Sequence, residues 1–312
     1  MTLVQLEYLL AIYRYKSFSK AAEKCFVTQP TLSMQIQNLE AELESTLLDR
    51  SKKPIQATDA GLKFIAQAEN IMVEVARMKE IKLELQDDIS GELRMGIIPT
   101  ISPYLLPLFV SGFIKNYATV NLKADEMITQ KIIEALRNDD LDVGIVATPL
   151  NEKDIYEIPV YKELMLVYIS PESAIYSKDQ IELSDLDLSE LWLLNEGHCF
   201  RDQILNVCGA YKDKKEGHSF TFESGSIDTL IRMVDVRGGF TLVPELIIPY
   251  LQKEQLKNLR YFKDPMPARQ VSIISRRNKL KEKQIEVLRS EILKGVESHF
   301  KQNSNIELIP IY

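Results

Sequence analysis

The sequence is poor in the residues that build disulfide scaffolds, metal centres and membrane spans. Its three cysteines, Cys25, Cys199 and Cys208, are too few for a disulfide framework, so any pair that bonds points to regulatory or catalytic thiol chemistry in a reducing compartment. The three histidines (His198, His218 and His299) and the cysteines show no CxxC or HxxxH spacing, and no metal site is expected. Neither GxGxxG nor GxxxxGK[ST] occurs, which argues against a nucleotide, and no cofactor is expected. The longest apolar runs, such as 104–110, fall far short of the ~20 residues a bilayer requires, and the start MTLVQLEYLL lacks a basic segment and a small-residue cleavage site. These features predict a cytoplasmic protein without a membrane partner. A net charge of -7 gives no general attraction to nucleic acid, so any DNA contact must come from a local surface. What remains, 312 residues with 45% apolar and 27% charged side chains, fits two or three globular domains.

Residues 1–56 read as short helices with tight connections. Ser19 is a candidate N-cap for a helix whose Ala21 and Ala22 permit close packing, and Phe26 and Val27 form a turn. Thr28 can cap a second helix with Pro30 in its first turn, and Leu32, Ile36, Leu39 and Leu43 recur at four, three and four, which fixes one buried face. The opposite face carries Thr31, Ser33, Gln35, Gln37 and Asn38, donors and acceptors without charge. This is a helix-turn-helix pattern, although the same periodicity fits an amphipathic helix pair of any α protein. Residues 1–60 hold seven Lys/Arg and seven Asp/Glu, so bulk charge decides nothing. Arg50, Lys52 and Lys53 cluster where a wing would touch phosphate. Gln29, Thr31 and Ser33, with Pro30 and Gln35 on the same helix, are the candidates for base contact, and Arg50 and Lys53 for phosphate. Cys25 fits core packing.

From Thr58 to about Asp88 a long helix is expected, because Phe64, Ala68, Ile71, Val75, Met78, Lys82 and Leu85 follow four-three spacing. Such a seam predicts coiled-coil pairing between subunits. After Ser90 and Gly91 the period changes. ELRMGIIP, VNLKADE, LDVGIVA, ELMLVYIS, LWLLNE, SFTFE, FTLVP and QVSIISR read as strands, with helices such as 104–117 and 129–138 between them. This alternation predicts parallel sheets covered by helices, with a ligand crevice at the strands' carboxyl ends. The chain is thus α+β overall. It divides into a winged helix-turn-helix over 1–57, a linker and dimerisation helix over 58–89, and a two-lobed α/β domain over 91–312. Lobe I takes 91–162 and 269–312, lobe II 163–268.

The segment AAEKCFVTQPTLSMQIQNLEAEL, with DR and TDAG following, resembles the LysR-type transcriptional regulators across the first 61 residues. MGIIPTISPYLLP, EMITQ around Thr129, GHCFRDQILNVC from Gly197 to Cys208, and GGFTLVP from Gly238 are similar to the hydrogen-peroxide sensors of that family. The resemblance covers the whole chain and implies a regulatory domain of periplasmic-binding-protein type. It also implies redox-active Cys199 and Cys208, Thr100 and Thr129 in contact with peroxide, and Arg269 as a cation near the sulfur. The implied partners are double-stranded DNA operators, RNA polymerase, hydrogen peroxide, a cellular dithiol reductant and further copies of the chain, as a homodimer or homotetramer.

The residues add their own chemistry. Peroxide attack needs a thiolate, and Cys199 precedes an expected helix start with Arg201 beside it. His198 and Asp202 flank the cysteine and can orient peroxide or pass a proton to the leaving hydroxide. If FRDQILNV is helical, the Cα atoms of Cys199 and Cys208 stand roughly 13 Å apart, against about 4.4 to 6.8 Å for a disulfide. Bonding would therefore require the segment to unwind. A thiol peroxidase, or a regulator binding a small carboxylate with Cys199 incidental, are the competing expectations.

Overall fold

The computed structural model describes residues 1–84, 89–207, 224–276, 281–300 and 305–311. They form two compact units, residues 1–88 and 89–312.

The first unit opens with α1 (Leu3–Tyr15), whose start is closed by a reciprocal capping box between Thr2 and Gln5. α2 (Phe18–Lys24) follows. Its N-cap is Ser17, which accepts from the Lys20 N–H, not Ser19 as the sequence suggested. Ser19 instead lies within the helix and donates its hydroxyl to Gln29. α3 (Gln29–Glu42) starts as expected, with the Thr28 hydroxyl accepting from the Thr31 N–H and proline in the first turn. Ala21 and Ala22 let α1, α2 and α3 close on Leu9, Ile12, Leu32, Ile36 and Leu39, all buried. β1 (Leu48–Asp49) and β2 (Gln56–Ala57) pair antiparallel as a short wing. α4 (Asp59–Glu84) then begins against Leu47. Gly61 permits this approach, because a Cβ there would fall 2.0 Å from the Leu47 carbonyl oxygen. Along the seam of α4, Ala68 is buried within the unit while Phe64 and Met78 face outward. The expected continuation to Asp88, Leu85 included, lies outside the described residues.

The second unit is built on a mixed sheet. Its strands are β3 (Gly91–Ile97), β4 (Val120–Glu126), β5 (Val143–Thr148), β6 (Ile155–Ile169), β7 (Gln180–Ile181), β8 (Phe240–Pro244), β9 (Leu259–Phe262), β10 (Met266–Arg276) and β11 (Ile306–Leu308). The order runs β4-β3-β5-β10-β6-β9-β7, with β11 on β10 and β8 on β6. β3 is parallel to β4 and β5, with α5 (Ser102–Asn116) and α6 (Thr129–Arg137) as the crossovers. The expectation of parallel sheets fails beyond that point. β10 runs antiparallel to both β5 and β6, because it returns from the far lobe and not through an adjacent crossover helix. Gly144 on β5 lets α6 lie close, since a Cβ there would come within 2.4 Å of Ile132.

β6 and β10 run unbroken between the two lobes, so the expected boundaries near 162 and 268 fall inside continuous strands. The far lobe adds α7 (Cys199–Val207), α8 (Ile227–Arg237) and the single turn α9 (Lys253–Leu256), while α10 (Glu282–Val296) packs on α5. LWLLNE is not a strand. It makes only isolated bridges at Leu191 and Leu194, with its chain held by side-chain bonds such as Trp192 Nε1 to the Gly238 carbonyl. SFTFE lies outside the described residues.

Candidate functional site

α7 is amphipathic and buries Phe200, Gln203, Ile204 and Val207 on one face, which carries Cys199 inward with it. The thiol is 7% exposed. Its neighbour is Thr129, the first residue of α6, whose hydroxyl oxygen lies 3.3 Å from the sulfur. Thr100 sits in the turn between β3 and α5, also buried. Arg269 on β10 ties these parts together. It donates from Nη1 to the Thr100 hydroxyl at 3.1 Å and from Nη2 to the Thr100 carbonyl at 3.0 Å. Its Nε donates to Glu163 Oε2 at 2.7 Å, and its guanidinium carbon lies 4.7 Å from the centre of the Phe200 ring. Both Arg269 and Glu163 are 1% exposed. Their pairing follows from the sheet, since residue 269 of β10 stands opposite residue 163 of β6. The other Glu163 oxygen accepts from the Leu246 N–H at 3.1 Å.

Burial pushes the Cys199 thiol up. The Thr129 hydroxyl and the Arg269 charge work in the opposite direction, and Asp202 adds to the rise. Ionisation of this thiol is thus under opposing control, burial against Thr129 and Arg269. Arg201, expected beside the sulfur, instead donates to the Leu194 carbonyl at 2.7 Å. Arg269 is the cation that acts on Cys199. Burial also lowers the basicity of His198, against the pull of Glu126, and raises the Asp202 carboxyl, against Arg201 and with Glu196. Both shifts bring these groups toward the range in which side chains exchange protons near neutral pH.

α7 is intact from Cys199 to Val207. Cys208 lies outside the described residues, and so does its distance from Cys199. The third turn of α7 is gripped by the segment 305–311. Gln203 Nε2 donates to the Ile309 carbonyl at 3.0 Å and Asn206 Nδ2 to the Pro310 carbonyl at 2.9 Å. That segment is itself held by β11 on β10 and by Ile309 N–H to the Ala268 carbonyl. Neither this grip nor Glu163 was anticipated from the sequence. The one available signal was a carboxylate inside the apolar run of β6.

In the first unit, Gln29, Pro30 and Thr31 are exposed at the start of α3, and Ser33 and Gln35 are partly so. Gln29 accepts from Ser19 at 3.0 Å, and Gln35 accepts from Gln5 on α1 at 3.2 Å. Arg50 leaves β1 to pair with Glu40 of α3 at 2.9 Å and lies over the Phe18 ring, while Lys53 is exposed in the wing. The same Glu40 carboxylate accepts from the Leu47 and Leu48 N–H groups. Cys25 is partly buried at the end of α2, where burial, reinforced by Glu7, raises its thiol. Among the described residues no three His, Cys, Asp or Glu side chains are grouped to hold a metal ion, and no helix is long and apolar enough to cross a membrane.

Residues 3–62 match the bacterial regulatory helix-turn-helix family, lysR type, and residues 86–296 match the LysR substrate binding domain. The chain therefore belongs to the LysR family of DNA-binding transcription regulators. Within that family it resembles OxyR. It is 31% identical over 300 residues to the DNA-binding transcriptional dual regulator OxyR of Escherichia coli, covering 96% of this chain and 97% of the relative. Full-length OxyR from Pseudomonas aeruginosa superposes with a TM-score of 0.72 at 31% identity, covering 94% of this chain and 98% of that one. A hydrogen-peroxide-bound OxyR variant from Corynebacterium glutamicum gives a TM-score of 0.62 at 26% identity, covering 96% and 93%.

Proposed function

We propose that this chain is a cytoplasmic, peroxide-responsive regulator of transcription and not an enzyme. The Cys199 thiolate attacks one oxygen of hydrogen peroxide, the O–O bond breaks, and sulfenic acid forms at the sulfur. The departing hydroxide takes a proton through His198 or Asp202 and leaves as water. Thr100 and Thr129 hold the peroxide. The Cys208 thiolate then attacks the sulfenic sulfur, a disulfide forms and a second water leaves, and a cellular dithiol returns both thiols. With α7 intact over nine residues, closing that disulfide requires its turns to open. The change is passed to a homodimer or homotetramer on its double-stranded operators, and so to RNA polymerase.

The observation that carries this reading is a buried Cys199 at the start of a helix, with the Thr129 hydroxyl 3.3 Å from its sulfur and with its charge favoured by Arg269, which in turn binds Thr100. A family member that binds a small carboxylate needs an available cation in the crevice, whereas Arg269 is already committed to Glu163 and Thr100. A thiol peroxidase has no use for the DNA-binding unit at residues 3–62.

The test is the mass of the peptide spanning residues 199–208 after brief peroxide exposure and alkylation of free thiols, in the native chain and in Cys199→Ser and Cys208→Ser. The disulfide is expected in the native chain alone, and sulfenic acid at Cys199 in Cys208→Ser. A Cys199→Ser protein that still switches DNA binding with peroxide overturns the reading.

A further inference from the structure

The fully buried ion pair between Glu163 and Arg269 places a carboxylate and a cation on adjacent strands beneath the reactive helix. Arg269 on β10 contacts α7 through the ring of Phe200, the residue next to Cys199, and its charge favours the ionised sulfur. Glu163 takes two of its nitrogens and is anchored in turn by the Leu246 N–H. We propose that Glu163 is a positioning residue that restrains Cys199: by binding Arg269 it withholds that cation from the sulfur. The inference rests on Cys199 being the peroxide-reactive thiol, but concerns what sets its readiness.

A buried charge deprived of its partner is strongly unfavourable, and its surroundings relax toward any group that can supply the missing charge. Around Arg269 the groups able to do so are few. Tyr161 on β6 and Tyr104 on α5 both sense its charge, but burial holds both hydroxyls far up. A thiol ionises before a phenol. Among the described residues, His198 just before α7, Arg201 and Asp202 on α7, Glu126 on β4, Glu196 before α7 and Asp228 on α8, which accepts from the Tyr104 hydroxyl at 3.2 Å, are the other charged or titratable groups of this neighbourhood. Among them Arg201 is engaged at Leu194, and Glu126 acts on His198 and Glu196 on Asp202. With Glu163 neutralised, Cys199, whose ionised form Arg269 already favours, is the group that can supply the missing charge, and Arg269 is released to turn toward it.

Three full-length proteins test this: Glu163→Gln, Arg269→Gln and the double variant. The readout is thiolate absorbance at 240 nm from pH 5 to 10, taken as the difference from each protein's Cys199→Ser counterpart. Glu163→Gln is expected to move the Cys199 midpoint down, with about tenfold more thiolate at neutral pH for each unit of displacement. Arg269→Gln should move it up. The double variant should sit with Arg269→Gln, because Glu163 acts on the sulfur through Arg269. An unchanged or raised midpoint in Glu163→Gln overturns the proposal. So does a double variant as low as Glu163→Gln, which would show that the gap in packing and not the charge was responsible. If Glu163→Gln does not fold, the comparison between Arg269→Gln and the double variant decides: a double variant far below Arg269→Gln, which would show Glu163 acting without Arg269, overturns the proposal. Peroxide oxidation rates are measured separately. Midpoints that move as stated with no change in peroxide reactivity would uphold the role of Glu163 and reject the peroxide reading.

Discussion

The Thr129 hydroxyl and the Cys199 sulfur, 3.3 Å apart, are the first residues of two different helices, α6 and α7. Two helix N-termini, each favourable to negative charge, thus converge on one thiol. Removing the hydroxyl with Thr129→Val should raise the Cys199 midpoint further and slow its oxidation at neutral pH by roughly three- to tenfold, the range of one hydrogen bond. Stopped-flow oxidation at several pH values measures this, and the loss should shrink as pH rises past the thiol midpoint. A uniform loss at all pH values would assign Thr129 to peroxide binding alone.

At the DNA surface, Arg50 is shared with Glu40 and Phe18. Arg50→Ala should weaken specific and nonspecific binding alike and reduce the slope of log affinity against log salt by about 0.9. Thr31→Ala should instead lower discrimination between sequences with little change in that slope. Fluorescence anisotropy over a salt series, on a selected duplex and on a random one, separates the two roles.

Val75 lies on the seam of α4 between Ala68, which is buried, and Met78, which is exposed, and is itself partly exposed. A charge placed there by Val75→Asp should abolish subunit pairing through this helix while residues 89–312 stay folded. Sedimentation velocity reports the change, and an assembly of unaltered size would remove the pairing role of α4.

Asp142 links β3 to residue 281 through Arg94 and Lys281. Burial raises its carboxyl, but the hydrogen bonds from both cations outweigh burial and the net shift is downward. A carboxyl lowered in the folded state contributes stability above its unfolded value of about 3.9 and loses it as pH falls through the lower folded value. Asp142→Asn should therefore be less stable than the native chain by of order 1 kcal/mol at neutral pH, and the difference should fade below about pH 4. Urea unfolding across that range checks the sign.

Much of this architecture is written locally. Thr28 with Pro30, the apolar runs of β5 and β10 and the apolar face of α7 could each be read from neighbouring residues. The errors have equally local causes. Ser17 and Ser19 are both plausible caps, and only the reach to the Lys20 N–H selects Ser17. Arg201 is adjacent to Cys199 in sequence, yet residues two apart on a helix do not face each other, and its guanidinium goes to Leu194. Glu163 had no visible role because its meaning comes from a strand register with Arg269, 106 residues away. Thr100, Thr129 and Arg269 are scattered along the chain, and no local pattern could have assembled them. The family resemblance supplied what periodicity could not.

The grip of residues 309 and 310 on Gln203 and Asn206 bears on how portable the sensing helix is. Nine residues are too few to hold a helix alone in water. The resting form of α7 is thus borrowed from Thr129 at one end and from the neighbours of β10 at the other. A peptide carrying GHCFRDQILNVC would keep the thiols and lose the helix. Grafted into another scaffold without its distant partners, it would be two cysteines on a flexible strand.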